Sequence, residues 1–172
     1  MTIPTLTYID FINQPEAVRI ELQEYMLVAV MFKADCMSWK WGKVKEVQDL
    51  LATDSPYKNI FDIAKHESEL ITEQTDFHVV LGLFNAVIKS MTQLLQVEGE
   101  ALNHISTPKE LQASEAVGGF DAFGTLPQTL SLIPIFNVGI DQIRLMPWSE
   151  CFSALVYDKR RNDFNKQLYT ND

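Results

Sequence analysis

His66 and Glu67 stand side by side, as in the first half of a zinc-protease helix motif. That chemistry needs a second histidine four residues after the first, so that both imidazoles share one helix face. Position 70 is Leu, so the motif is broken. His66, His78 and His104 have no mutual spacing suited to a metal and no cysteine within a turn, and they read as surface or hydrogen-bonded histidines. Glu98 and Glu100 lie two apart on a helix and point in different directions. They read as solvated acids rather than a paired acid–base site. Gly118-Gly119 before Phe120 lacks the preceding strand and the completing Lys or Ser of a phosphate loop, and reads as a helix terminator. Ser149 and Ser153 flank Glu150, but no nearby histidine or strand-to-turn signature would activate either hydroxyl. The expectation is a protein that is not an enzyme, with no catalytic residue, no cofactor and no metal.

Composition narrows the classes further. At 172 residues, one domain would bury roughly 70% of the surface of its unfolded chain, enough to fold without a disulfide or metal. Seven Gly and seven Pro are too few for a turn-rich sandwich or barrel, which favours helices. The net charge of −9 and pI near 4.8 repel phosphate, so sequence-specific nucleic-acid binding is not expected. Lys159, Arg160, Arg161 and Lys166 sit among Asp158 and Asp163 on a helical pattern, which suits a solvated, locally paired face. Cys36 and Cys151 read as two buried thiols in a reducing compartment. The amino terminus lacks the basic and apolar regions of a secretory leader. The apolar run Val79 to Leu95 is interrupted by Asn85, Lys89, Ser90, Thr92 and Gln93, so no membrane span is expected.

The elements follow from periodicity. Phe77, Val80, Leu81, Phe84, Val87, Ile88, Met91, Leu94 and Leu95 recur at three and four steps, which predicts one long central helix over about 76–102, capped by Thr75 or Asp76. Thr7 to Asn13 reads as a short helix or turn, and Pro15 suits the start of a helix reaching Phe32. Val44, Val47, Leu50 and Leu51 predict a helix ending near Thr53. Ser55-Pro56 caps another with Tyr57, Ile60, Phe61, Ile63 and Ala64 as its apolar face. Thr107-Pro108-Lys109-Glu110 has the form of a capping box. Leu126 to Phe136, with two prolines, predicts short bent helices, and Met146-Pro147-Trp148 opens a last helix ending near Leu168. The fold class expected is all-α: a compact bundle of about seven helices in a single domain over 1–172, with 119–172 as a C-terminal helical subdomain.

Trp39, Trp41, Phe123 and Trp148 are the candidate protein-interface residues, because tryptophan and phenylalanine near turns and helix starts suit contact surfaces. Two tryptophans two residues apart on a helix face different ways, which predicts one in the core and one partly exposed.

Asp10-Phe11-Ile12-Asn13, Asp76-Phe77 leading into Leu83-Phe84-Asn85, and Phe120 to Leu126 followed by Arg144-Leu145-Met146-Pro147-Trp148 together span most of the chain. In these segments it resembles a family of small proteins encoded in the structural-gene blocks of tailed bacteriophages, particularly the crAss-like phages of gut Bacteroidales. The resemblance implies a virion or assembly component: a subunit of the ring between portal and tail, a packaged accessory protein or a tail-assembly factor. It further implies portal, ring or tail proteins as partners, homo-oligomerisation in the particle, and residence in the virion and, during assembly, the host cytoplasm. The alternative reading is a monomeric acidic adaptor or inhibitor that binds a host or phage protein.

Overall fold

A computed structural model of the chain describes residues 7–15, 19, 32–53, 59–103 and 124–169. The architecture is all-α. Among the described residues there are seven α-helices and no strand: α1 (Tyr8–Ile12), α2 (Trp41–Leu51), α3 (Ile60–Glu67), α4 (Phe77–Leu102), α5 (Leu126–Phe136), α6 (Ile140–Leu145) and α7 (Trp148–Tyr169). A 3-10 turn, Cys36–Ser38, precedes α2. The expected long helix is α4, and the expected last helix is α7. Residues 16–18 and 20–31 of the helix expected after Pro15, the Ser55-Pro56 cap, His104, the Thr107 capping box, Gly118-Gly119 and Phe123 lie outside the described residues.

The chain forms two compact units, Met1–Cys36 with Leu50–Thr92, and Met37–Asp49 with Gln93–Asp172. Helix α4 gives its first sixteen residues, Phe77–Thr92, to the first unit and the remainder to the second.

In the first unit, α1 is held by a capping box in which Thr7 Oγ1 accepts from the Asp10 amide at 3.3 Å and Asp10 Oδ2 accepts from the Thr7 amide at 3.3 Å. The opening N–H of α1, on Tyr8, has no partner inside its own helix and donates to the Thr75 carbonyl at 3.1 Å. Asp76 caps α4, its Oδ1 accepting from the His78 amide at 2.8 Å. Aromatic contacts then lock the helices together. Phe11 stacks on Phe77 with centroids 3.8 Å apart, and Tyr8 stacks on Phe61 at 4.7 Å. Ile60, Ile63, Ala64, Val80, Phe84 and Val87 complete the interior. Cys36 is buried against α4, where its amide donates to Ser90 Oγ at 2.9 Å.

The apolar stripe of α4 is buried from Phe77 to Leu94 except at half-buried Ile88, but Leu95 is exposed and the buried row continues through Glu98. By length, and by the mean hydropathy of 1.3 in an 18-residue window, α4 would also suit a bilayer span. Here Val80, Phe84, Val87 and Met91 are buried within the protein, whereas Leu95 and Val97 are exposed.

Because Phe77 is fully buried, stacked and at the start of the longest helix, Phe77→Ala should destabilise the protein by about 3–5 kcal/mol. Urea unfolding followed by circular dichroism measures this. A loss below about 1 kcal/mol would mean that the ring contributes little to this core.

Candidate functional site

The most unusual chemistry lies in the second unit, where α2, α4 and α7 converge on a buried carboxylate. Helix α2 carries Trp41, Lys45 and Gln48 at spacings of four and three, which places them on one face. All three are buried. Helix α4 contributes Glu98, 6% exposed, and α7 contributes its first residue, Trp148.

Lys45 Nζ donates to Glu98 Oε1 at 2.9 Å, to Glu98 Oε2 at 3.2 Å and to Gln48 Oε1 at 2.8 Å. Gln48 Nε2 donates to Glu98 Oε2 at 3.0 Å, and Trp148 Nε1 donates to Glu98 Oε1 at 2.8 Å. The ammonium also sits 4.2 Å from the centre of the Trp41 ring. The Trp41 indole in turn donates to Thr129 Oγ1 on α5 at 2.9 Å. Every polar group of Glu98 is thereby matched by a donor from another side chain, which is the condition for burying a charge. Glu98 is therefore not the solvated acid that its sequence context suggested. Glu100 is exposed and accepts from Gln96 at 2.9 Å.

The backbone reinforces the same junction. Trp41 N–H donates to the Met146 carbonyl at 2.8 Å, and Trp148 N–H donates to the Trp39 carbonyl at 2.9 Å, around a single antiparallel bridge between Lys40 and Pro147. Each helix start satisfies the orphan N–H of the other. Pro147, which has no N–H, sits at the bridge position where none is used. Gly42 is required by closeness rather than by a turn: a Cβ there would lie 2.8 Å from the Arg144 Cβ and 3.0 Å from the Arg144 carbonyl oxygen. Asp49 anchors α5, accepting from the Thr125 amide and hydroxyl at 3.0 Å each.

Trp39, Trp41 and Trp148 are all buried, which corrects the expectation that one of the first two would be partly exposed. Trp39 lies ahead of α2 rather than on it, so the helical rule of divergent side chains does not govern the pair. Its ring is covered by Lys43 Nζ at 4.0 Å, and the Trp148 ring stacks on Phe152 at 4.7 Å. Phe123 falls outside the described residues, so the structure brings together three of the four predicted interface residues, as interior groups.

Burial pushes the Lys45 ammonium below its ordinary value of 10.5, and the Glu98 carboxylate opposes that shift. Between the lowered value and 10.5 the unfolded chain binds the more protons, so this contribution to stability rises with pH. Burial and then the Glu150 carboxylate push the Cys151 thiol from 9.0 up to about 11. Neither cysteine forms a disulfide. Among the described residues, no group of three or more His, Cys, Asp or Glu could hold a metal ion. With its donors all engaged by Glu98 and Gln48, Lys45 is held as a brace. No family model, curated protein or solved structure matches the chain.

Removing one partner of the ion pair strands the other, so Glu98→Ala should cost about 3–5 kcal/mol. Replacing both charges while keeping a polar partner for Gln48 and Trp148, as Lys45→Met with Glu98→Gln, should recover most of that loss in urea unfolding. A double variant as unstable as the single one would show that packing, rather than an unpaired charge, sets the cost.

The folded Cys151 thiol keeps its proton up to about 11 whereas the unfolded one loses it near 9.0. Its contribution to stability is present in full below pH 9.0 and is lost as the pH rises through about 11. Cys151→Ala should flatten the alkaline fall in unfolding free energy over that range, and parallel pH profiles for the two proteins would contradict the assignment.

Proposed function

We propose that this chain is a structural or assembly protein of a tailed-phage virion that acts through protein–protein contacts. It would serve as a subunit of the portal–tail ring, a packaged accessory protein or a tail-assembly factor, located in the virion and, during assembly, in the host cytoplasm. One observation in the second unit carries the contact-based reading. Helix α5, Leu126-Pro-Gln-Thr-Leu-Ser-Leu-Ile-Pro-Ile-Phe136, holds no charged residue, yet it leaves Leu126, Leu130 and Ile135 in solvent. An uncharged helix with exposed leucines presents a surface that another protein can cover favourably. The phage context comes from the resemblance of Asp10–Asn13, of Asp76-Phe77 with Leu83-Phe84-Asn85, and of Phe120 to Leu126 followed by Arg144–Trp148. Trp39, Trp41 and Trp148 support contacts from beneath by fixing the helix starts, and Phe123 keeps its proposed role as an anchor ahead of α5.

The reading is tested by native mass spectrometry of the protein with the portal, ring and tail proteins encoded beside it. Defined complexes are expected, and Leu126→Glu with Leu130→Glu should weaken them at least about tenfold while leaving the helical signal intact. A chain that ignores every structural neighbour but binds a host protein would favour the monomeric acidic adaptor instead.

A further inference from the structure

Helix α7 begins as a core element and ends as an exposed one. Trp148 and Cys151 are buried, whereas from Tyr157 onward nearly every residue faces solvent. Within that exposed half, Tyr157 (69% exposed), Phe164 (60%) and Leu168 (55%) fall at intervals of seven and four. At about 100° per residue they share a single arc about 40° wide and about 16 Å long. Arg160 and Arg161 lie beside this arc. Residues Tyr157–Tyr169 carry four cations, Lys159, Arg160, Arg161 and Lys166, against Asp158 and Asp163, so the segment is net +2 in a chain of net −9. The remainder of the chain is therefore at −11.

Charge selects the occupant of this stripe. Two copies of the stripe placed face to face would bring like charges together. The rest of the molecule, by contrast, is a strongly acidic complement. That complement also offers an apolar pair: Leu126 and Leu130 lie one turn apart on uncharged α5, with exposed Asp49 bonded at its start and exposed Asp141 on α6, which packs against α5 and whose Arg144 is paired with Glu46.

We propose that the exposed half of α7 in one copy docks head-to-tail onto the α5 pair of a second copy, with its arginines facing the acidic groups that flank α5. This rests on the assembly reading above and names the self-contact that assembly would use. Such a contact joins two different surfaces, so each copy keeps one of each free and the association continues to a closed ring or a filament.

The test is the mass in solution by light scattering and native mass spectrometry of the wild type, of Phe164→Glu with Leu168→Glu, and of Leu126→Glu with Leu130→Glu. The wild type should form concentration-dependent oligomers beyond the dimer in low salt and dissociate in high salt. Each double variant should be monomeric with unchanged circular dichroism, and mixing the two should restore a heterodimer that grows no further. Arg160→Glu with Arg161→Glu should weaken association about tenfold or more. A wild type monomeric at every concentration in low salt, dimers that persist in the α5 variant, or a mixture that stays monomeric would each overturn the proposal. Binding of a monomeric wild type to the neighbouring structural proteins would overturn this contact and leave the assembly reading in place.

Discussion

The second unit is organised around the need to keep the Glu98 carboxylate hydrogen-bonded away from water. A buried charge without partners costs several kcal/mol, so α2 must bring Lys45 and Gln48, and α7 must bring the Trp148 indole, to within about 3 Å of the same two oxygens. Lys45 shares Oε1 with Trp148 and Oε2 with Gln48, so the three donors are held as a set. The ammonium is further held over the Trp41 ring, whose own N–H is taken by Thr129, so the constraint extends through α2 to α5. A network of this kind contributes specificity of arrangement: few alternative packings of the same helices would satisfy all of its members together.

Each unit starts two of its helices in the same manner. An isolated antiparallel bridge joins Thr7 to Asp76 in the first unit and Lys40 to Pro147 in the second. The residue after each bridging position opens a helix, and all four openers are aromatic: Tyr8, Phe77, Trp41 and Trp148. The backbone reason is the orphan N–H at a helix start, which a neighbouring chain segment can satisfy. The side-chain reason is that a large ring at that point is carried straight into the interior, where Phe77 and the two tryptophans are buried. Trp41 and Trp148, expected as surface anchors, are therefore committed to holding helix ends in register.

In the proposed reading, contact chemistry falls instead to the exposed sides of α5 and α7, although α5 packs against both α6 and α7 on its inner side. Helix α5 has one buried side, marked by Thr129 and Leu132, and an uncharged exposed side. Helix α7 is fully buried only near its start, at Trp148 and Cys151, and its later half presents Tyr157, Phe164 and Leu168 on one arc with a local positive charge. An acidic chain with a basic, aromatic stretch in the later half of α7 carries opposite charges on one polypeptide, the condition for the self-contact proposed above.

The amino-acid sequence by itself determined the helical class, the limits of α4 and α7, and the two buried thiols, because these depend on local periodicity, capping residues and apolar surroundings. It also held the signal for Glu98, which lies four residues after Leu94 and seven after Met91 and so continues the buried row. The drift of the pattern toward Leu95 concealed it, since a carboxylate at a core position is credible only once its donors are known. Those donors come from residues about fifty positions away on either side, Lys45 and Gln48 before it and Trp148 after it. Only the tertiary structure could decide that pairing, the burial of Trp39 with Trp41, and the close approach of Gly42 to Arg144. Each is a contact between distant segments, and its energy belongs to the meeting of helices rather than to the residues within any one of them.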